Sequence, residues 1–236
     1  MNFSPFRLVL LISLLCGVSG FAQDTPPKQT GPERWEADIA KFEAKEKANP
    51  SPKDALLFVG SSSIRMWKLE ESFPDRKTVN RGFGGSTLAD SIHYFDRLVT
   101  PLAPKAIIVY AGDNDIKNGM TADEVVADFK TLAGLAAEKL PGTPFVFIAI
   151  KPSVSRWSLW PTMKTANERI ASWCTEHEGF FYADIAAPML ADVEAGQPPK
   201  DTYFLKDGLH MTPEGYAVWK MVIDTLLKEA PPKKAE

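Results

Sequence analysis

Three histidines stand in this 236-residue chain, and only one lies in a setting that suits proton transfer. His177 falls in the last turn of a helical stretch, where a histidine complements the helix dipole, and His93 sits within another helical stretch. His210 lies instead in the loop DGLHMTPEGY, three residues after Asp207 and just before a helix start. Loops carry function disproportionately, and Asp207 is close enough to set the tautomer of the ring. His210 and Asp207 are therefore a candidate base and its orienting carboxylate.

A base of this kind requires a nucleophile, and the stretch LLFVGSSSIRMW offers three serines, Ser61, Ser62 and Ser63. Four apolar residues run into Gly60, the serines follow, and a helical pattern then begins. A serine here would lie at the carboxyl end of a strand. Its backbone N–H would open a helix, where such groups have no intrahelical partner and can stabilise an oxyanion. Cys174, inside a helical stretch, is better read as a buried free thiol.

Two further stretches contain groups that can donate hydrogen bonds to a negatively charged oxygen. NRGFGGSTLAD has glycines at positions 82, 84 and 85, whose backbone N–H groups can approach a ligand closely. YAGDNDI contains Asn114, a neutral amide donor. Each stretch by itself is also consistent with an ordinary turn, because glycine, asparagine and aspartate are common turn residues.

The elements that must position these residues alternate between apolar runs and amphipathic helical patterns. The predicted strands are residues 55–60, 77–82, 106–112, 145–150 and 180–185. The predicted helices lie near 33–48, 63–71, 86–98, 121–139, 162–178 and 212–229. The later strands are almost continuously apolar, which is typical of strands covered on both faces. We therefore expect an α/β fold with a parallel sheet and helices on both sides, and the candidate residues at its carboxyl edge.

Composition is that of a soluble globular protein, with 44% hydrophobic and 24% charged residues and a formal net charge of -3. No basic block is present, so we expect no nucleic acid partner. No metal-ligand spacing is found, and we expect neither a metal nor another cofactor. The oligomeric state stays open.

The N-terminus is typical of an export signal. Arg7 precedes an apolar run at residues 8–18 that is too short to span a bilayer, and small residues suit cleavage after Ala22. An uncleaved anchor is the alternative, whereas a lipid anchor on Cys16 is disfavoured because a leucine precedes it. We expect a periplasmic or secreted protein with no stable membrane span after processing. The expected organisation is a signal peptide at 1–22, a proline-rich linker at 23–32, one domain at 33–230 and a tail at 231–236.

Together, the four stretches resemble the SGNH hydrolases, also called GDSL esterases and lipases. Gly60-Ser61-Ser62 corresponds to the family's Gly-Asp-Ser turn, which identifies Ser62 as the nucleophile. Ser61 replaces the usual aspartate, so Ser61 or Ser63 stays open as the exposed hydroxyl. In the glycine-rich stretch, the matching oxyanion glycine is Gly85.

Residues 112–115 match the family's Gly-x-Asn-Asp block, which implies that the side chain of Asn114 is an oxyanion donor. Asp207 and His210 match its Asp-x-x-His block. The resemblance covers about residues 55–228 and implies a flavodoxin-like three-layer α/β/α sandwich with a five-stranded parallel sheet. It also implies ester hydrolysis through an acyl-enzyme, with Ser62 as nucleophile and its N–H as a further oxyanion donor.

The substrate is the least determined feature. In the stretch KPSVSRWSLWP, after the fourth strand, Arg156 and Trp157 are candidate substrate-binding residues, and Trp160 could stack on a sugar beside Trp157. A rim loop packed over the core is the alternative. We expect a small ester substrate and favour removal of short acyl groups, such as acetyl, from a carbohydrate. The alternatives are a lysophospholipase or other short-chain acyl esterase, and a non-catalytic carbohydrate-binding protein on this scaffold.

Overall fold

The computed structural model describes Met1 and residues 31–229, in which five parallel strands form one sheet between two layers of helices. The strand order β2-β1-β3-β4-β5 is that of flavodoxin-like folds, and it confirms the predicted architecture. The strands are β1 (Leu56–Gly60), β2 (Thr78–Gly82), β3 (Ala106–Tyr110), β4 (Phe145–Ile148) and β5 (Phe180–Ala183). The predicted signal peptide, Cys16, the linker up to residue 30 and the tail lie outside the described residues.

Ten α-helices lie within residues 31–229. They are α1 (Glu36–Ala48), α2 (Ser62–Arg65), α3 (Leu69–Ser72), α4 (Leu88–His93), α5 (Phe95–Leu98), α6 (Asp113–Lys117), α7 (Ala122–Lys139), α8 (Trp160–Glu176), α9 (Ala186–Leu190) and α10 (Pro213–Glu229). Short 3-10 turns occupy Pro32–Trp35, Thr100–Leu102, Val154–Leu159 and Asp201–Tyr203.

The predicted helices near 63–71 and 86–98 are each two short helices in the structure. In the first, the Asn80 side-chain amide on β2 donates to the carbonyl oxygens of Ile64 at 2.7 Å and Trp67 at 3.2 Å. Those carbonyls are thereby satisfied from outside, and the backbone leaves the helical region at Lys68. A tertiary contact from β2 thus outweighs the local helical pattern of residues 63–71.

The sheet separates two hydrophobic cores because neighbouring strand residues point to opposite faces. Leu57, Val59, Ile107 and Phe147 pack on one side against helices α1, α4, α5, α7 and α8. Phe58, Ile108 and Ile148 pack on the other side against the segments that contain α2, α3, α9 and α10. Three predicted strands run two residues past the observed ends. After β3 and β4 the reason is that burial continues beyond the strand; Ala149 and Ile150, for example, are both buried.

Strand order reverses between β1 and β3, and in such sheets ligands bind at this point, outside the carboxyl ends of the strands. The loops after β1, β2 and β3 begin there, and they contain the serine, glycine and asparagine candidates. In the described part of the chain, no helix is both long and apolar enough to cross a membrane.

Candidate active site

Ser62 opens α2 directly after β1, and the turn before it requires a glycine. Gly60 has a φ of +134°, and a Cβ there would lie 1.9 Å from the carbonyl oxygen of Tyr110 on the neighbouring strand. The next residue, Ser61, donates its N–H to the same oxygen at 3.0 Å. Ser61 and Ser63 are buried, whereas Ser62 is partly exposed. Among the three serines, Ser62 therefore presents the accessible hydroxyl.

His210 lies in front of that hydroxyl, with Nε2 3.1 Å from Ser62 Oγ. Its Nδ1 lies 2.6 Å from Asp207 Oδ2, so the carboxylate favours the tautomer with the proton on Nδ1 and a lone pair on Nε2. The loop is held in place because Leu205 donates its N–H to the carbonyl oxygen of His210 at 2.7 Å. The structure thus brings together all three residues of the predicted triad.

Asp207 remains ionised down to low pH. Burial alone would raise its pKa, but hydrogen bonds from the His210 ring and from the backbone N–H groups of His210 and Leu209 lower the pKa to about 2. A charged carboxylate can stabilise an imidazolium as it forms. The geometry therefore allows His210 to take a proton from Ser62.

Asn114 and Gly85 lie side by side at the adjacent loop ends. A Cβ at Gly85 would lie 3.8 Å from Asn114 Nδ2, so the two residues are neighbours. Asn114 Nδ2 donates to the carbonyl oxygen of Ser86 at 3.0 Å, which uses one of its two hydrogens. The second hydrogen, the N–H of Gly85 and the helix-opening N–H of Ser62 are the three donors that the sequence predicts for an oxyanion.

Asp115 connects these two loops and was not predicted as a site residue. Its Oδ1 accepts the N–H of Leu88 at the start of α4 at 2.8 Å, and its Oδ2 accepts the N–H of Gly112 at 3.0 Å. Burial raises the pKa of this carboxyl to about 6 against those hydrogen bonds. Because the Asp115 side chain is hydrogen-bonded to the segments after β2 and β3, it holds the glycine turn and Asn114 at a fixed distance from each other.

A buried charged cluster lies beneath the serine turn. The Lys151 ammonium, 1% exposed, donates to Asp113 Oδ2 at 2.9 Å, to the Tyr110 hydroxyl at 2.8 Å and to Ser63 Oγ at 3.3 Å. Burial would raise the pKa of Asp113, but the positive charges of Lys151 and Arg156 hold it below its usual value. Burial lowers the pKa of Lys151, and Asp113 opposes that shift. The two side chains are almost completely enclosed, 1% and 5% exposed, and neither was predicted as a site residue.

Arg156 and Trp157, the predicted substrate-binding residues, both lie after β4 but point to different partners. Arg156 donates from Nη2 to Asn114 Oδ1 at 3.0 Å, and its Nη1 lies 3.1 Å from Asp113 Oδ2. Trp157 donates its indole N–H to the carbonyl oxygen of Gly196 at 3.2 Å and is half-buried. Its ring lies parallel to that of Trp160, with centroids 6.1 Å apart.

Cys174 is buried, as predicted, and burial raises the pKa of its thiol to about 12. Among the described residues, no group of three or more histidine, cysteine or acidic side chains is arranged to hold a metal ion.

The fold is shared with several solved structures. A GDSL-like lipase from Bacteroides thetaiotaomicron superposes with a TM-score of 0.72 at 20% identity, covering 83% of this chain and 99% of that one. A carbohydrate esterase family 3 protein from Talaromyces cellulolyticus gives 0.59 at 16% identity, covering 74% and 97%. An acetylxylan esterase from Geobacillus stearothermophilus gives 0.58 at 14% identity, covering 73% and 93%. At these identities the likeness is one of fold.

A comparison with curated proteins finds no match. The family model described as "GDSL-like Lipase/Acylhydrolase family" matches residues 60–218, a span that begins at the glycine before the serine turn and ends within α10. Since this span is more than half of the chain, and its fold is that of a GDSL-like lipase, the protein belongs to the GDSL-like lipase/acylhydrolase family.

Proposed function

We propose that this protein is a serine esterase that hydrolyses carboxylic esters through an acyl-enzyme on Ser62. The observation that supports this most directly is the pair of contacts at His210, 3.1 Å to Ser62 Oγ and 2.6 Å to Asp207 Oδ2. Both lie within the range expected of a nucleophile, a base and an orienting carboxylate.

In the proposed reaction, His210 Nε2 takes the hydroxyl proton of Ser62 as its oxygen attacks the acyl carbon. The tetrahedral oxyanion accepts hydrogen bonds from the N–H groups of Ser62 and Gly85 and from the Asn114 amide. The protonated His210 then gives its proton to the leaving alcohol, and the acyl group stays on Ser62. Water repeats the sequence, releasing the acid and restoring the serine.

For the substrate, we propose a short acyl group, such as acetyl, on a carbohydrate. The acetylxylan esterase and the carbohydrate esterase with the same fold support this choice. The parallel Trp157 and Trp160 rings support it as well, because flat aromatic surfaces suit sugar rings. The predicted export signal would place such an enzyme where polysaccharides occur.

The decisive experiment compares hydrolysis of p-nitrophenyl acetate by the wild-type protein, Ser62→Ala and Ser172→Ala. Ser172 is an exposed serine on α8 and serves as the matched control. We expect Ser62→Ala to lose at least about 10³-fold in kcat/KM and Ser172→Ala to keep wild-type activity. A fluorophosphonate probe should add its mass to the peptide containing Ser62 and to no other serine peptide.

Retention of activity in Ser62→Ala, or labelling at another serine, would refute the assignment of the nucleophile. Absence of turnover in the wild type, with binding of sugars intact, would favour the carbohydrate-binding alternative. Release of acid from acetylated xylo-oligosaccharides, short-chain glycerol esters and lysophospholipids, compared in one panel, decides among the esterase alternatives. We expect the acetylated sugars to give the highest kcat/KM.

A further inference from the structure

The amide of Asn114 has two ends of opposite character, and only one of them can stabilise an oxyanion. Nδ2 donates hydrogen bonds and Oδ1 accepts them, so a half-turn about the last side-chain bond would replace attraction by repulsion. Torsions of this kind are broad and roughly two-fold, which means that the side chain alone does not select the useful orientation.

Two partners of opposite character select it in this protein. Ser86 offers a carbonyl oxygen, which can only accept, 3.0 Å from Nδ2. Arg156 offers Nη2, which can only donate, 3.0 Å from Oδ1. In the reversed orientation, both contacts would pair donor with donor or acceptor with acceptor. The Arg156 guanidinium therefore rejects the wrong orientation as well as stabilising the right one.

Arg156 is itself held firmly. Its side chain is 12% exposed, and its Nη1 lies 3.1 Å from Asp113 Oδ2, the same oxygen that accepts from Lys151. Its neighbour Ser155 donates a backbone N–H to the carbonyl oxygen of Gly208 at 3.0 Å, within the loop that contains the triad histidine and aspartate. The segment thus connects Asn114 to that loop.

We propose that Arg156 is a positioning residue that orients the Asn114 amide toward the developing oxyanion, and that it does not bind substrate. This inference rests on the proposed esterase function. Nη2 of the guanidinium donates to Asn114, and Nη1 is buried 3.1 Å from the Asp113 carboxylate, so both terminal nitrogens face protein groups. A positive charge next to Oδ1 also polarises the amide and makes its N–H groups better donors.

If Arg156 only orients Asn114, its replacement should lower kcat and leave KM unchanged. An interaction made only in the transition state lowers kcat and kcat/KM together and leaves KM unchanged. We expect Arg156→Gln to lower kcat by about 10- to 100-fold, with KM within about 3-fold of wild type, on p-nitrophenyl acetate and on an acetylated xylo-oligosaccharide alike. A substrate contact would instead raise KM, and only for the sugar ester.

The test that isolates the coupling is a double-mutant cycle with Asn114→Ala. We expect Asn114→Ala to lower kcat by about 10²–10³-fold, and Arg156→Gln to lower it by less than about 3-fold further when Asn114 is already alanine. Arg156→Lys should leave most of the loss in place, because one ammonium cannot reproduce the fork that reaches Asn114 and Asp113.

Each variant is to be checked by circular dichroism and thermal melting, and kcat compared only among folded proteins. Full additivity in the cycle, unchanged kcat in Arg156→Gln, or full recovery by Arg156→Lys would overturn the proposal. The Ser62→Ala comparison keeps this result separate from the broader one. If Ser62-dependent turnover is present and the cycle is additive, the esterase assignment stands and the role of Arg156 falls.

Discussion

Lys151 is the most fully enclosed basic side chain described in this protein, and its removal should destabilise the fold more than that of other lysines. The change Lys151→Met keeps an unbranched side chain, one atom shorter, and removes the terminal ammonium charge. It leaves Asp113 Oδ2 without its 2.9 Å partner in a site where the carboxylate is 5% exposed. Breaking a buried ion pair from one side typically costs about 3–5 kcal/mol. Because Arg156 also faces Asp113, at 3.1 Å, we expect the lower end, about 3 kcal/mol.

The measurement is urea unfolding followed by tryptophan fluorescence, with the free energy of unfolding taken from the linear extrapolation. For a domain of this size, 1 kcal/mol corresponds to about 2–4 °C in Tm, so Lys151→Met should melt roughly 6–12 °C lower. Lys220→Met is the matched control: Lys220 is 40% exposed and pairs with Asp224 one helical turn away. A partly exposed pair of this kind should contribute about 0–1 kcal/mol, so Tm should fall by less than 4 °C.

The double variant Lys151→Met, Asp113→Asn separates the effect of charge from the effect of packing. If the loss arises from an uncompensated buried carboxylate, neutralising Asp113 should restore at least half of it. A loss in Lys151→Met no larger than that in Lys220→Met would refute the reasoning. So would a double variant no more stable than the single one, because the damage would then lie in packing and not in charge.

Two further predictions concern the loops of the site. Gly84 has a φ of +39°, and a Cβ there would lie 2.0 Å from the Trp35 ring, whereas Gly142, with a φ of +73°, faces open space. Both alanine variants carry the backbone strain of a positive φ, but the clash with Trp35 should make Gly84→Ala less stable than Gly142→Ala by about 1–3 kcal/mol. Removing the ring with Trp35→Ala should abolish this difference in the same urea titration. Asp207→Asn should lower kcat by about 10²–10³-fold, less than the roughly 10⁴-fold seen for buried triad aspartates, since the carboxylate is 47% exposed; a loss below about 10-fold would contradict its orienting role.

Asp207 also makes stability depend on pH in a defined direction. Its pKa in the folded protein, about 2, lies below the ordinary value of an aspartate, about 3.9, so the native state favours the charged form. The stability that this carboxylate contributes is therefore complete above the ordinary value and is lost as the pH falls toward 2. Asp207→Asn should make the fall in the free energy of unfolding between about pH 5 and pH 2 less steep, as measured by urea unfolding across that range.

The parts of the site that the sequence predicted are those fixed by short-range patterns. An apolar run followed by Gly60 locates the end of a strand, and a three-residue spacing brings Asp207 within reach of His210. The apolar run of β3 likewise ends before a glycine, Gly112, which locates Asn114 just after the strand. In a parallel sheet the carboxyl ends of the strands lie at one edge, so residues far apart in the chain meet there without any further signal.

The choice among the three serines could not be made from residue types, because their side chains are identical. It depends on how the chain turns from β1 into α2. Rotation by about 100° per residue turns the side chain of Ser62 away from those of Ser61 and Ser63. The latter two are buried in the structure, and Ser63 bonds to Lys151. The exposed hydroxyl is thus the one whose two neighbours both point into the interior.

The residues that support the site were missed for a different reason: their environment comes from several chain segments at once. A lysine after a strand usually lies in solvent, and nothing adjacent to Lys151 in the sequence indicates otherwise. Its acceptors come from α2, from the end of β3 and from the start of α6. Arg156 was predicted from the sequence as a candidate substrate-binding residue, and its contacts with Asn114 and Asp113 come from other chain segments. Motifs along this chain therefore locate the candidate triad and oxyanion donors. The charged groups packed beneath them become visible only when the segments after β1, β3 and β4 are seen to share one buried cluster.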